Sequence, residues 1–254
     1  MSNISLPCGI PKIIHQTWRE EKVPPHWQAS QDSWKKYHPE WEYKLWTDED
    51  NRAFVESKFP WFLKTFDNLP YGIQRADAIR YCILNIYGGV YCDLDLEPLG
   101  NLENLFPNQG VYLMASSNST NYYTNSFMAS SPDNPFWIEV LLEIMKPKQW
   151  WAIGKHLEVM STTGPQMIDR VAKKATFTIN VLPYRVILPC SICDPQPCSD
   201  KFSRVRILPG ASWIAYDTKV FNFFLCNPKK IMIGIVLLII IYYLYIKFYK
   251  YHKG

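Results

Sequence analysis

The stretch Arg75–Asp95, RADAIRYCILNIYGGVYCDLD, decides how this chain is read. Across Tyr71–Tyr87, Ile73, Ala76, Ile79, Ile83 and Ile86 recur at three- and four-residue steps, the spacing of one helix face. Gly88–Gly89 then ends the helix, because glycine enters the left-handed region without a steric penalty. VYCDLDLEPL follows as a strand that runs out into a loop and exposes carboxylates. On a regular strand Asp93 and Asp95, at i and i+2, point the same way. At a strand end such a pair offers hard oxygen ligands to one divalent cation. Asp77 and Arg80 lie three residues apart on one helix face. A D-x-D alone occurs by chance in solvated acidic loops, and an i,i+3 pair alone is commonly a surface ion pair of little weight. In this order, the helix, the glycine turn, the apolar strand and the D-x-D are much more specific than any of their parts.

Upstream, IPKIIHQTW (Ile10–Trp18) has the apolar, β-branched character of a first strand, with Pro11 at its start. Trp27, Trp34 and Tyr37 fall at helical spacings, so Trp27–Tyr37 is expected to be a helix. WEYKLWT (Trp41–Thr47) alternates large apolar with polar residues and reads as a second strand. Thr47 before Asp48, Glu49 and Asp50 looks like an N-cap with an acidic first turn, and NRAFVESKF continues that helix. Downstream, VYLMAS and NSFMAS read as strands, Pro135–Met145 as a helix, and FTINVLPYRVILP as one or two strands. This alternation predicts an α/β sheet, with ligands at the carboxyl ends of its strands.

The 254 residues suit one catalytic-sized domain with an appendage. The apolar fraction of 48% is ordinary, whereas the aromatic fraction of 15% is high. Aromatic faces stack on sugars and bases, but they also fill cores. A net charge of +4 with scattered basic residues excludes a nucleic-acid surface. No GxxxxGK[ST] is present, which excludes a P-loop kinase. Five His without metal-like spacing argue against a metal-dependent hydrolase. Of seven Cys, Cys82 and Cys92 sit among apolar residues as inert thiols. Cys190, Cys193 and Cys198 cluster in PCSICDPQPC, with no His nearby to complete a zinc site; a surface loop with one disulfide is the plainer expectation.

The N-terminus lacks a continuous apolar run and does not read as a signal peptide. Ile231–Ile246, IMIGIVLLIIIYYLYI, is uncharged, and Phe248 and Tyr249 extend its apolar length while Lys247 snorkels. Flanking lysines at 229, 230, 247, 250 and 253 favour a membrane span over a core helix. Asn118-Ser119-Thr120 is a sequon that reports on which side of a membrane the domain lies.

The sequence resembles the DXD-containing sugar transferases that include fungal initiating mannosyltransferases and inositol-phosphoceramide mannosyltransferases. The resemblance rests on IPKIIHQTW, YKLWTDED, RADAIRYCILNIYGGVYCDLDLEPL, NSFMASSPDNPF, TTGPQM and GASW, in that order over most of Ile10–Trp213. It implies a GT-A fold, a nucleotide-sugar donor, a divalent cation (Mn²⁺ or Mg²⁺) and retention of anomeric configuration. Asp93 and Asp95 match the metal-and-diphosphate motif. Asp77 and Arg80 match the pair that holds the donor's sugar and ribose region. Ile14, His15, Gln16, Thr17 and Trp18 match the first strand and the loop that face the nucleotide. Asn125 matches a polar position near the donor sugar, and Ser212 and Trp213 match a loop that closes over the diphosphate. Each has a structural alternative: His15 and Trp213 as core, Asn125 as a strand cap, Gly164–Pro165 as a turn. Many relatives carry a His near the final Ser-Trp, and none lies near Ser212 here. This leaves Ser212, Asp217 or water for the third metal position.

The expected organisation is a GT-A catalytic domain over 1–226, a junction over 227–230, a transmembrane helix over 231–249 and a basic tail over 250–254. The expected activity is transfer of a hexose, foremost mannose from GDP-mannose, to a membrane-associated glycolipid or glycan acceptor such as an inositol-phosphoceramide. A noncatalytic scaffold of the same fold is the alternative, which intact Asp77, Arg80, Asp93 and Asp95 disfavour. The expected partners are the donor, the acceptor, a membrane and, in addition, a regulatory subunit. The expected location is a Golgi or ER membrane, single-pass, with the domain lumenal.

Overall fold

A computed structural model describes residues 9–116, 122–187, 193, 202–210 and 212–253. The chain divides into two compact units, Met1–Trp213 and Ile214–Gly254. The first unit contains β1 (Ile13–Thr17), α1 (Gln28–Tyr37), β2 (Glu42–Trp46), α2 (Asp48–Lys58), α3 (Pro60–Asn68), α4 (Gly72–Tyr87), β3 (Gly89–Cys92) and β4 (Leu96–Pro98). It continues with β5 (Val111–Ala115), β6 (Tyr123–Ser130), α5 (Pro135–Ile144), α6 (Gly154–Thr162), α7 (Pro165–Ala172), β7 (Ile179–Leu182), α8 (Tyr184–Ile187) and β8 (Val205–Ile207).

Among the described residues, six strands form one mixed sheet in the order β2-β1-β3-β6-β5-β7, and β4 pairs with β8 in a separate ribbon. β1 runs parallel to β2 and β3, while β6 runs antiparallel to β3 and β5. His15 lies opposite Tyr91, so the carboxyl ends of β1 and β3 open side by side. Along β5 the side chains alternate between two cores: Val111 and Leu113 enter one, Tyr112 and Met114 the other. Both faces of the sheet are therefore covered.

Local sequence accounts for several boundaries. Thr47 and Asp50 cap α2 reciprocally, with Asp50 N–H on Thr47 Oγ1 at 3.1 Å and Thr47 N–H on Asp50 Oδ2 at 3.0 Å. Pro60, Pro135 and Pro165 each open a helix, where a missing N–H costs nothing. α4 is buried without a gap from Asp77 through Asn85. It is an internal helix, so Asp77 and Arg80 are not the surface pair that their spacing alone allows.

The structure corrects the expectation that Asp93 and Asp95 lie on a regular strand. β3 stops at Cys92, and Asp93–Asp95 lies on a tight turn closed by Leu96 N–H on Asp93 O at 3.1 Å. Leu94 is 5% exposed and packs with Val23, Trp27 and Leu208, which pulls the backbone out of the strand. In FTINVLPYRVILP, expected to hold one or two strands, Ile179–Leu182 is a strand; beyond Pro183, which has no N–H for a ladder, Tyr184–Ile187 is a helical turn. Cys193 is disulfide-bonded, in line with the disulfide expected for its loop, and offers no thiolate for zinc. Cys190, Cys198 and the sequon at Asn118–Thr120 lie outside the described residues. Cys82 and Cys92 are buried free thiols, as expected.

The second unit consists of α9 (Tyr216–Cys226) and α10 (Pro228–Lys253). Asn227 ends α9 by donating its backbone N–H and its side-chain amide to Phe223 O, at 3.1 and 2.9 Å. The large apolar side chains between Met232 and Tyr243 are 47–68% exposed, so this part of α10 is not a core helix. No single helix among the described residues is long and apolar enough to cross a membrane; α9 with Pro228–Tyr243 passes by length and composition as a pair bent by 85°.

Gly88 and Gly89 both have positive φ (63° and 82°). A methyl group at Gly88 would stand 2.6 Å from Ser130 O, and one at Gly89 2.5 Å from Ile13 O. Gly88→Ala and Gly89→Ala are each expected to cost about 2 kcal/mol or more. Gly100→Ala, which meets open space, should stay within about 0.5 kcal/mol of the parent. Urea unfolding midpoints test this, and equal midpoints for all three variants would contradict it.

Candidate functional site

α4 points Asp77 and Arg80 at the open end of β3. Asp77 is 4% exposed and Arg80 3%. Arg80 Nη2 lies 3.1 Å from Asp77 Oδ1, and Arg80 Nη1 lies 3.2 Å from Asp93 Oδ1. Arg80 also donates through Nη1 to Asn125 O at 2.7 Å and through Nε to Ala76 O at 3.1 Å, and its guanidinium sits 4.6 Å above the Tyr91 ring. Burying charges this deeply is costly unless each lone pair and proton finds a partner. Asp77 also accepts from Asn125 Nδ2, 2.9 Å from Oδ1, and from Thr163 Oγ1, 2.8 Å from Oδ2. Burial pushes the Asp77 carboxyl up to about 6, held back by Arg80, Thr163 and Asn125. Burial alone would lower the Arg80 pKa, but the charges of Asp93 and Asp77 outweigh it and raise it above the ordinary value.

This network continues into the D-x-D turn. Tyr91 donates its hydroxyl to Asp93 Oδ1 at 3.0 Å and so accepts from Thr17 Oγ1 at 3.1 Å. Gln16 Nε2 donates to Asp93 O at 3.2 Å, and Asp93 N–H to Ser126 O at 2.8 Å. Every named side-chain contact to Asp93 falls on Oδ1. Its Oδ2, and both oxygens of Asp95, have no partner on another residue among those described. Burial, followed by the charge of Asp93, pushes Asp95 up to about 7. Two such carboxylates fit a divalent cation, which would remove their repulsion and occupy lone pairs that no residue uses. Among the described residues, no group of three or more His, Cys, Asp or Glu stands together to hold a metal.

The other expected residues are distributed around this centre. Asn125 joins it directly, and its amide also donates to Tyr81 OH at 2.9 Å. Thr17 reaches it through Tyr91. Trp18 lines a cavity of about 350 Å³ with Arg19, Glu20, Lys22, Val23, Pro24 and Pro25. Its buried indole N–H has no acceptor among the described residues. Leu208 N–H donates to Asp95 O at 2.7 Å, which ties the segment leading to Ser212 to the D-x-D turn. Trp213 stacks on His156 with ring centroids 5.7 Å apart, and Lys155 Nζ donates to Trp213 O at 3.0 Å. No hydrogen bond or ion pair joins Ser212 to either aspartate. His15 stands apart from the cluster: its Nε2 donates to Gly88 O at 3.1 Å and its Nδ1 accepts from Trp46 Nε1 at 3.2 Å. Burial lowers its pKa to about 3, so it is a neutral core imidazole. Sequence reasoning missed Thr163 and Tyr91. Thr163 lies within TTGPQM, where the Gly164–Pro165 turn drew attention instead. Tyr91 is hidden in an apolar strand.

A parallel β1–β3 pair, a D-x-D turn at its open end and a buried Asp-Arg pair behind it define a GT-A-type glycosyltransferase core. The fold is shared with the UDP-bound glycosyltransferase domain of the YGT toxin (TM-score 0.53, 8% identity, 70% of this chain and 80% of that one). It is also shared with the PaToxG glycosyltransferase (TM-score 0.51, 17% identity, 66% and 70%). The family model described as "Glycosyltransferase sugar-binding region containing DXD motif" matches residues 24–112. Inositol phosphoceramide mannosyltransferase 1 of Schizosaccharomyces pombe is 33% identical over 226 residues, 88% of this chain and 68% of that protein. Mannosyl phosphorylinositol ceramide synthase SUR1 of Saccharomyces cerevisiae is 36% identical over 217 residues, 84% of this chain and 54% of that protein. The chain belongs to the DXD-containing glycosyltransferase sugar-binding family, alongside the inositol phosphoceramide mannosyltransferases. It spans about half the length of SUR1 and of CSH1 from the same yeast.

Carboxyl titration by carbon-13 NMR tests the Asp77 environment. Asp77 should titrate at about 6. Because its folded pKa lies above the unfolded value, its ionisation opposes folding as pH rises through that window. Thr163→Val removes a donor to the carboxylate and should move the midpoint upward. An ordinary midpoint in the parent, or one unmoved by the substitution, would refute the assignment.

Proposed function

We propose that this chain is a retaining, metal-dependent hexosyltransferase that moves mannose from GDP-mannose to an inositol-phosphoceramide-type acceptor in a membrane. The observation that carries this is the buried Asp77–Arg80–Asn125 cluster, which grips one oxygen of Asp93 and leaves Asp95 open. Asp95 and the second oxygen of Asp93 would hold the cation, Mn²⁺ foremost, with Ser212 or water completing the shell. When bound, it neutralises charge on the departing diphosphate. Asp77, Arg80 and Asn125 hold the donor's sugar and ribose region. Thr17 and Trp18 face the nucleotide, and His15 packs behind them as a support for β1. Trp213 closes over the diphosphate.

The acceptor hydroxyl attacks C1 on the face from which the nucleotide leaves. The new bond forms between the acceptor oxygen and C1, the bond from C1 to the phosphate oxygen breaks, and the acceptor proton passes to that phosphate. Arg80 offsets part of the burial that pushes the Asp93 carboxyl up and holds Asp93 in position throughout, so no residue reorganises when charge develops.

The acceptor class is supported by the names of the relatives, which act on phosphorylinositol ceramide. A membrane-spanning 231–249 segment is supported by the exposed apolar surface of α10. A lumenal domain in the Golgi or ER is supported by the disulfide-bonded Cys193 and Cys226, since such bonds persist in oxidising compartments.

Chelation should abolish mannosyl transfer, and added Mn²⁺ should restore it. Asp95→Asn should lower kcat by about 10²–10³-fold with the unfolding midpoint unchanged. Assay of transfer from radiolabelled GDP-mannose checks both. Near-parental turnover by the variant, or activity in excess chelator, would refute the mechanism.

A further inference from the structure

The segment KPKQWWAI, Lys146–Ile153, joins α5 to α6. Trp150 is 89% exposed, Ile153 80% and Trp151 38%. Folds normally hide side chains of this size and kind. Their exposure is built into the turn. Ala152 between them is buried, its N–H donates to Gln149 O at 3.0 Å, and Ile153 N–H donates to Trp151 O at 2.8 Å. With Ala152 turned in, its neighbours turn out. Lys146 and Lys148 flank the tip, paired with Glu143 at 2.6 Å and Glu158 at 3.0 Å. Lys155 follows, with its ammonium 5.7 Å from the Tyr71 ring centroid.

The turn also has a defined place relative to the site. α6 begins directly after it and runs nine residues to Thr162. Thr163, the next residue, is the one that hydrogen-bonds Asp77. At about 1.5 Å per residue the tip stands roughly 14 Å from that contact. At the near end of the same helix, Lys155 and His156 hold Trp213. The exposed aromatics are therefore one short helix from the buried Asp77 contact and share that helix with the residues that hold Trp213.

Two indoles and one isoleucine cover at most about 600 Å², short of the roughly 800 Å² per partner that a stable protein interface needs. Indole rings with neighbouring lysines instead match the headgroup layer of a bilayer, where the ring is half wet and ammonium groups meet lipid phosphates. We propose that the Trp150–Ile153 turn inserts into the headgroup layer of a bilayer and seats the donor site against lipid-borne acceptors. Insertion itself does not depend on the acceptor named above, although its catalytic consequence rests on that reading.

The test uses the full chain reconstituted in vesicles of equal parts phosphatidylcholine and phosphatidylinositol, with acyl chains brominated near the headgroup. The second unit contains no Trp, so an anchor formed by α10 is silent in tryptophan fluorescence. Bromolipid should quench the parent protein. The double substitution Trp150→Ser/Trp151→Ser should abolish most of that quenching, whereas Trp61→Ser, at another exposed indole, should leave it in place. The double variant should also lose about tenfold in transfer to a vesicle-embedded acceptor while hydrolysing donor at the parental rate. Quenching equal in parent and double variant would overturn the insertion. Absence of transfer by the parent, with quenching intact, would overturn the acceptor reading alone.

Discussion

The site depends on one guanidinium. Arg80 bridges Asp77 and Asp93 from a helix that is buried from Asp77 through Asn85, and it is the nearest compensating charge for both. Coulomb attraction rarely repays the desolvation of such groups unless every remaining polar atom is satisfied. Asn125, Thr163, Tyr91 and Thr17 supply that satisfaction, each from a different element. Removing Arg80 would leave two partly or fully buried carboxylates without a cation, a change that typically costs about 3–5 kcal/mol. The same residue thus holds together the meeting point of β1, β3, β6 and α4 and fixes the direction in which Asp93 presents its free oxygen.

Asymmetry is the functional consequence. Asp93 is gripped through one oxygen, whereas the Asp95 carboxylate meets no other residue among those described and is pushed toward neutrality by burial and by its neighbour. The fold leaves a carboxylate in electrostatic debt next to one that is fixed, which suits a site whose ligand brings its own positive charge. The segment leading to Ser212 and Trp213 is anchored to the same turn through Leu208 and is held at its far end by Lys155 and His156. It is thereby kept beside the site while Ser212 itself stays exposed.

Much of the sheet was legible in the sequence because its signals are local. β-branched runs marked β1, aromatic alternation marked β2, and the Thr47–Asp50 cap marked the start of α2. The Asp77–Arg80 spacing was legible too, but its burial was not, since three-residue spacing is the same on a surface helix and an internal one. Thr163 lies 86 residues from Asp77, and no local pattern announces a contact of that range. His15 shows the opposite case. It sits in the matching motif, yet the pleat of β1 turns its ring toward Gly88 and Trp46. The D-x-D was visible, but the turn that carries it was not, because Leu94 leaves the strand to fill a small core formed by distant residues.

The central claim is that Asp95, beside an Arg80-fixed Asp93, is the cation-binding carboxylate. Electron paramagnetic resonance of free Mn²⁺, titrated into the protein with GDP present, measures this without turnover. The parent should deplete the free Mn²⁺ signal, and Asp95→Asn should bind at least about tenfold more weakly with the fold unchanged. Equal Mn²⁺ affinity in parent and variant would contradict the account.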